Sequence, residues 1–279
     1  MGMIEANGAR FGYDEAGEGP AVVLLHAGLA DRRMWDHQFA ALAEHHRVIR
    51  YDRRGHGESD DPEGTVSHHR DLLAVMDALG VDEAALVGSS MGGAYALDAA
   101  LAAPSRVRRI ALVGAGLSGH EWPADMAAEM WATLRAAVPP ERLEQYQAHT
   151  AERVDEADVA AAAEANARYF VVGPHRTPDV LEAQTWALAK EMCELVYHRA
   201  WNGPKWPEDV PSTQPRLADI AAPTLVLIGL SDASGLLALA DLFTTTIPGA
   251  RRLDLPDTGH LPPMERPAET TQALLDFLA

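Results

Sequence analysis

Short apolar runs alternate along this chain with longer stretches in which apolar positions return every three or four residues. The runs occupy residues 22–26, 48–52, 85–88, 110–113 and 224–228, and are rich in valine, isoleucine and leucine. Continuous rather than alternating apolar character predicts strands covered on both faces. Between them the spacing predicts helices over about 33–43, 65–79, 91–102, 235–246 and 266–278. In the second of these, Leu72, Leu73, Val75, Met76 and Leu79 form one stripe suited to packing on a sheet. Segments 3–6 and 10–15 read as a hairpin joined at Asn7-Gly8. Strands that alternate with helices predict an α/β fold with a mostly parallel central sheet and flanking helices.

Residues 118–212 break the rhythm. This stretch has no good strand, is rich in Ala and Glu, and is punctuated by Pro139-Pro140, Gly173-Pro174 and Gly203-Pro204. It holds five of the six tryptophans, Trp122, Trp131, Trp186, Trp201 and Trp206. We expect an inserted helical lid over 118–212, with residues 1–117 and 213–279 forming one core. Most of the aromatics then glue the lid to that core, and one or two face a ligand.

Composition narrows the chemistry. A length of 279 residues suits one α/β domain with an insertion, since single domains of ~250 residues are common. The net charge of −18 disfavours nucleic acid, whose phosphates would be repelled. The only lysines are Lys190 and Lys205, so no polybasic anchor exists. The single cysteine, Cys193, excludes an intrachain disulfide framework. The first residues lack a basic region and a long apolar run, and no stretch has the ~18 apolar residues of a membrane span. A cytoplasmic protein with no membrane partner is expected; its oligomeric state is left open.

The strongest local signal is Gly88-Ser89-Ser90-Met91-Gly92-Gly93, placed between a strand and a helix. Only centring on Ser90 puts glycines two residues away on both sides, Gly88 and Gly92, as a G-x-S-x-G turn requires. The turn exposes the hydroxyl and aims a helix N-terminus at the place where negative charge develops. A serine needs a base. Among twelve histidines, the adjacent pairs His45-His46 and His68-His69 read as solvated faces. His26 reads as support for the loop after its strand, and His56 as a turn-stabilising residue. His260 lies in a loop after a short strand, where its ring is free to reach another strand's end.

These features resemble the α/β-hydrolase fold family over essentially the whole chain. His26-Ala27-Gly28 is similar to the family's His-Gly-x loop, with Ala27 in place of the usual glycine. Asp52-Arg53-Arg54-Gly55-His56-Gly57-Glu58-Ser59 matches its D-x-R-G-x-G-x-S turn, and the strand 224–228 leads to Asp232 at the place of its acid. The order Ser90, Asp232, His260 is the family's order of nucleophile, acid and base. Asp257 is a rival acid, three residues before His260, with poor reach to the far ring nitrogen. Some members carry the acid after the strand equivalent to 110–113, but Gly114-Ala115-Gly116-Leu117-Ser118 has no carboxylate. The resemblance implies an oxyanion hole from the backbone N–H groups of Gly28 and Met91. Leu29, Trp122, Trp131, Trp186 and Leu261 are the candidates for substrate contact.

A glycine pattern at Gly114, Gly116 and Gly119 formally fits a dinucleotide fingerprint but opens no tight helix; it reads as a flexible exit into the lid. No phosphate loop, H-E-x-x-H or C-x-x-C motif occurs, so neither cofactor nor metal is expected. The resemblance implies hydrolysis of a small, fairly apolar ester or lactone through an acyl-enzyme, similar to carboxylesterases and 3-oxoadipate enol-lactonase-like enzymes. C–C bond hydrolases, which usually carry tryptophan where this chain has Leu261, cofactor-free haloperoxidases (perhydrolases), hydroxynitrile lyases and a receptor-like binding protein remain as alternatives on the same fold.

Overall fold

The computed structural model describes residues 2–279. The five apolar runs, the two hairpin segments and one segment near the C-terminus form eight strands: β1 (Gly2–Ala6), β2 (Ala9–Ala16), β3 (Ala21–Leu25), β4 (Arg47–Tyr51), β5 (Ala84–Ser89), β6 (Val107–Val113), β7 (Thr224–Gly229) and β8 (Arg251–Leu255). They make one sheet in the order β1-β2-β4-β3-β5-β6-β7-β8. Its first two pairings are antiparallel and the remaining five parallel. The β1–β2 hairpin turns at Asn7 and Gly8, both with positive φ (44° and 72°), the conformation that lets a two-residue turn follow the strand twist.

The helices are α1 (Asp36–Leu42), α2 (His68–Ala78), α3 (Met91–Ala102), α4 (Ala124–Ala137), α5 (Pro140–Ala148), α6 (Glu156–Ala167), α7 (Ala183–Asn202), α8 (Ser234–Thr246), α9 (Pro262–Glu265) and α10 (Pro267–Leu278). Successive strand residues point to opposite faces, so Leu86 and Val87 of β5 enter different cores. One core gathers Phe11, Leu72, Met76, Leu97 and Phe243; the other gathers Trp35, Leu42, Val113, Leu227 and Phe277. That two-sided burial is why the central strands β3, β5, β6 and β7 lack polar alternation.

Helices α4 to α7 lie between β6 and β7 and hold a third, smaller core, with Leu134, Leu143, Tyr146, Val159 and Trp201. The Trp201 ring stacks on Tyr146 with centroids 4.8 Å apart. Trp206 packs against Gly55, and Arg199 of α7 donates to the carbonyls of Ser59 (3.0 Å) and Gly57 (2.9 Å). These contacts fix α7 to the turn after β4.

Two expectations are corrected here. His46, His68 and His69 are buried, not solvated. The start of α2 is covered by the returning chain, where Val66 N donates to Pro207 O (2.9 Å) and Asp209 N to Val66 O (2.7 Å). His68 thereby lies against Tyr95, ring centroids 4.5 Å apart. Adjacency makes two side chains diverge, but it says nothing about what covers a helix end. The second correction concerns residues 114–118, which form a buried segment rather than a flexible exit.

Candidate active site

Ser90 stands at the sharp turn between β5 and α3 with φ 52° and ψ −122°, a strained conformation for a residue with a side chain. The neighbours hold it there. Ser90 N donates to Val113 O (3.0 Å), and Ser90 O accepts from Gly93 N (2.9 Å) and Gly116 N (2.8 Å). The flanking glycines are required by contact: a methyl on Gly88 would strike the Gly92 carbonyl, and one on Gly92 would strike Leu25 O.

Asp232 follows β7 and reaches into the loop after β8. Its Oδ2 lies 2.7 Å from His260 Nδ1, while Oδ1 accepts from Ala233 N at 2.7 Å. Both residues are buried, so the pair interacts away from water. Asp257 is exposed instead. Gly114, at φ 52°, packs directly on this pair: an added methyl would lie 3.0 Å from His260 O and 3.2 Å from its Nδ1. That contact explains why the segment after β6 is glycine-rich and buried.

Sequence reasoning missed the brace behind His260. Residues 168–172 form one turn of π-helix after α6, a feature frequent at functional sites. Its Phe170 carbonyl accepts from His260 N (3.2 Å), and the two rings are 5.6 Å apart. The Glu265 side chain, nearly fully buried, accepts from Gly259 N (2.8 Å) and pairs with Arg176. The His260 loop is thus pinned from the α6–α7 connection. The run Tyr169-Phe170-Val171-Val172 directly before Gly173-Pro174 was the available signal.

Gly28 and Met91 face each other across the mouth of the turn, a methyl on Gly28 lying 3.4 Å from Met91 Cγ. Met91 is the first residue of α3, whose N–H has no intrahelical acceptor. The Ala27–Gly28 carbonyls are held from below. His26 Nδ1 donates to Ala27 O (2.8 Å), while its Nε2 accepts from Arg53 N (2.9 Å), which fixes the tautomer. His56 Nε2 is 3.1 Å from Gly28 O. Burial, then the Arg53 charge, pushes His26 well below its ordinary pKa and His56 down to about 3. Both rings are therefore neutral near pH 7. The D-x-R-G-x-G-x-S turn has its own logic: Asp52 pairs with Arg32 and accepts from Glu58 N (2.9 Å), and a methyl on Gly57 would strike that carboxylate.

Ser90, His260, Gly28 and Met91 all line one cavity of about 420 Å³. His260 spends Nδ1 on Asp232, so Nε2 is the nitrogen available to Ser90. The remaining wall is largely apolar and comes from α4, α6, α7, α8 and Phe170. Leu29 and Trp122 belong to it, and no charged side chain does. Cys193 also lines it, but its thiol donates to Leu29 O (3.4 Å) and burial pushes its pKa up to about 12, which makes it inert.

Three expected contacts are corrected. Trp131 packs against the core within α4–α7, one position on from the cavity-lining Met130 and so turned about 100° from it. Trp186 lies beneath Lys190 and Arg168, at 5.6 and 6.0 Å. Leu261 is fully buried with Leu274 and Phe277, because the chain turns into α9 straight after His260. Among the described residues no three His, Cys, Asp or Glu side chains are grouped to hold a metal ion, and no helix is long and apolar enough to cross a membrane.

Comparison with known proteins places the fold. The family described as alpha/beta hydrolase fold matches residues 20–267. The chain is 30% identical to 2-hydroxy-6-oxo-6-phenylhexa-2,4-dienoate hydrolase of Burkholderia cepacia, over 97% of this chain and 91% of the relative. Its structure is similar to the enol-lactonase from Burkholderia xenovorans LB400 (TM-score 0.74, 27% identity, 99% of both chains). It is also similar to Est816, an N-acyl homoserine lactone degrading enzyme (TM-score 0.72, 28% identity, 99% of this chain and 100% of the other). A match covering most of the chain, on a mostly parallel eight-stranded sheet, places this protein in the α/β-hydrolase fold family.

Proposed function

We propose that the chain is a serine hydrolase of neutral carboxylic esters or lactones, working through an acyl-enzyme. Ser90 Oγ attacks the carbonyl carbon as His260 Nε2 takes its proton, and Asp232 holds the ring and stabilises the imidazolium. The amides of Gly28 and Met91 receive the oxyanion. Collapse expels the alkoxide, which His260 protonates. Water, deprotonated by His260, then attacks the acyl carbon and releases the acid and Ser90. Helices within 118–212 act as the lid over the core formed by 1–117 and 213–279. The carrying observation is the 2.7 Å Asp232–His260 contact at the wall of the cavity that Ser90 also lines.

The charge of the wall favours neutral esters over a dienoate such as the one named for the Burkholderia cepacia relative. A dienoate carries a carboxylate, and removing an unpaired anion from water is costly. This cavity offers no cation to pair with it. The two lactone-degrading neighbours keep lactones in view beside open-chain esters.

Purified protein should release p-nitrophenol from p-nitrophenyl butyrate with steady turnover, and Ser90→Ala should lower kcat by roughly 10⁴-fold or more. Undiminished turnover in that variant would sink the reading. A single covalent event without repeated product release would point instead to a receptor-like protein.

A further inference from the structure

Besides Ser90 and His260, the cavity wall holds one hydrogen-bonded pair of polar side chains, Asn166 on α6 and Tyr197 on α7. Asn166 Nδ2 donates to the Tyr197 hydroxyl at 2.8 Å. That bond uses the phenol as acceptor, so its own proton remains to be given. Asn166 Oδ1 is buried with no partner. Exchanging the amide's nitrogen and oxygen only reverses the roles: the phenol then donates, and the outer NH₂ is the group left unpaired. In either orientation the pair keeps at least one donor and one acceptor uncommitted, and the outer amide atom, which has almost no exposed surface, meets a ligand when the Asn166 side chain turns toward the cavity.

The surroundings make this pair selective. Its neighbours along α7 in the cavity, Cys193, Val196 and Ala200, share one helix face at i, i+3 and i+7 and offer no charge. Burial keeps the Tyr197 phenol protonated, raised above its usual range. An unpaired polar atom in an apolar wall is costly to leave unmatched, and a few polar groups in such a pocket decide how a ligand lies.

We propose that Asn166 and Tyr197 form a recognition subsite for a neutral group that both donates and accepts, a hydroxyl or a secondary amide, carried by the substrate away from its scissile carbonyl. This deepens the ester-hydrolase reading and rests on it. The group is neutral because nothing in the wall would pair a charge. It sets the direction in which the acyl chain or lactone enters.

The test uses p-nitrophenyl alkanoates of about six to nine carbons, each against its ω-hydroxy and ω-acetamido counterpart, because the reach from Ser90 to the pair selects one length. The wild-type protein should prefer the polar ester at one length by about tenfold or more in kcat/KM over its hydrocarbon parent. In Tyr197→Phe, and further in Asn166→Leu/Tyr197→Phe, that ratio should fall toward one. Reading a ratio removes any general loss of activity, and Tyr197→Phe deletes a single oxygen if the double variant fails to fold. Turnover of the parents with a flat ratio at every length overturns this inference alone, as does a preference that survives both substitutions. No turnover of any ester overturns the hydrolase reading and this one with it.

Discussion

The turn that carries Ser90 and the helices α4, α6 and α7 that line the cavity obey different kinds of constraint. At the turn, each critical residue is dictated by atoms close in sequence or on the adjoining strands: Gly88 by Gly92 O, Gly92 by Leu25 O. Those clashes leave a residue-level signature. In the helices, the question is which stripe of an amphipathic surface faces the cavity and which faces the small core around Tyr146 and Trp201. Both stripes are apolar, so composition does not separate them. Chemistry is written locally, and substrate shape is written in long-range packing.

The largest effect should fall on the local side. Asp232→Asn removes the acceptor for His260 Nδ1–H and leaves the fold in place, so kcat should drop about 10⁴-fold. Asp257→Asn, at an exposed loop position, should change it less than about twofold. Initial rates with p-nitrophenyl butyrate decide between them. A larger loss in the Asp257 variant would break the claim that the site is fixed by strand-end geometry.

A second prediction concerns the seam between the two regions. Asp98 of α3 accepts from Ser118 Oγ (2.6 Å), where the chain leaves for the helices, and from Thr213 Oγ1, where it returns. Burial raises its pKa to about 6, against lowering by these two hydroxyls, with Glu208 and Asp209 raising it further. A raised folded pKa means the folded state holds the proton more tightly than the unfolded chain. Stability linked to Asp98 is therefore full below about pH 4 and is lost as pH rises through about 6. Between pH 5 and 7.5 the wild type should lose about 1 to 2 kcal/mol relative to Asp98→Asn, read from urea midpoints at both values. Parallel pH profiles for the two proteins would show that the seam does not feel this proton.

The same contrast explains what could be read from the chain. The central strand runs and the α/β architecture are legible because burial on two faces leaves continuous apolar strings, and the hairpin because Asn7-Gly8 is a two-residue turn signal. Gly88, Ser90 and Gly92 stand out through spacing, His260 through its place after a strand, and Asp232 through the family resemblance. His68 was misread because its cover, residues 207–209, is distant in sequence. Gly114 looked like a loose exit because the Asp232–His260 pair it packs on arrives more than a hundred residues later. Asn166 and Tyr197 gave no signal, since their meaning depends on α6 lying beside α7.

The smallest effect separates two tryptophans that look alike in the sequence. Trp122 lines the cavity and is 38% exposed, whereas Trp131 packs, partly buried, against the α4–α7 core. Trp122→Ala removes an aromatic wall from the ligand and little from the fold. It should cut kcat/KM for longer acyl chains about fivefold, with a smaller effect on acetate, since one lost apolar contact is worth about 1 kcal/mol. Trp131→Leu should leave that chain-length profile intact and lower the denaturation midpoint, by about 1 kcal/mol in stability. The pair is decisive because both substitutions remove an indole and their readouts are opposed. If Trp131→Leu altered chain-length preference while Trp122→Ala did not, the helices would present the opposite stripe of α4 to the substrate. The assignment of Met126 and Met130 to the cavity wall would then fall with it.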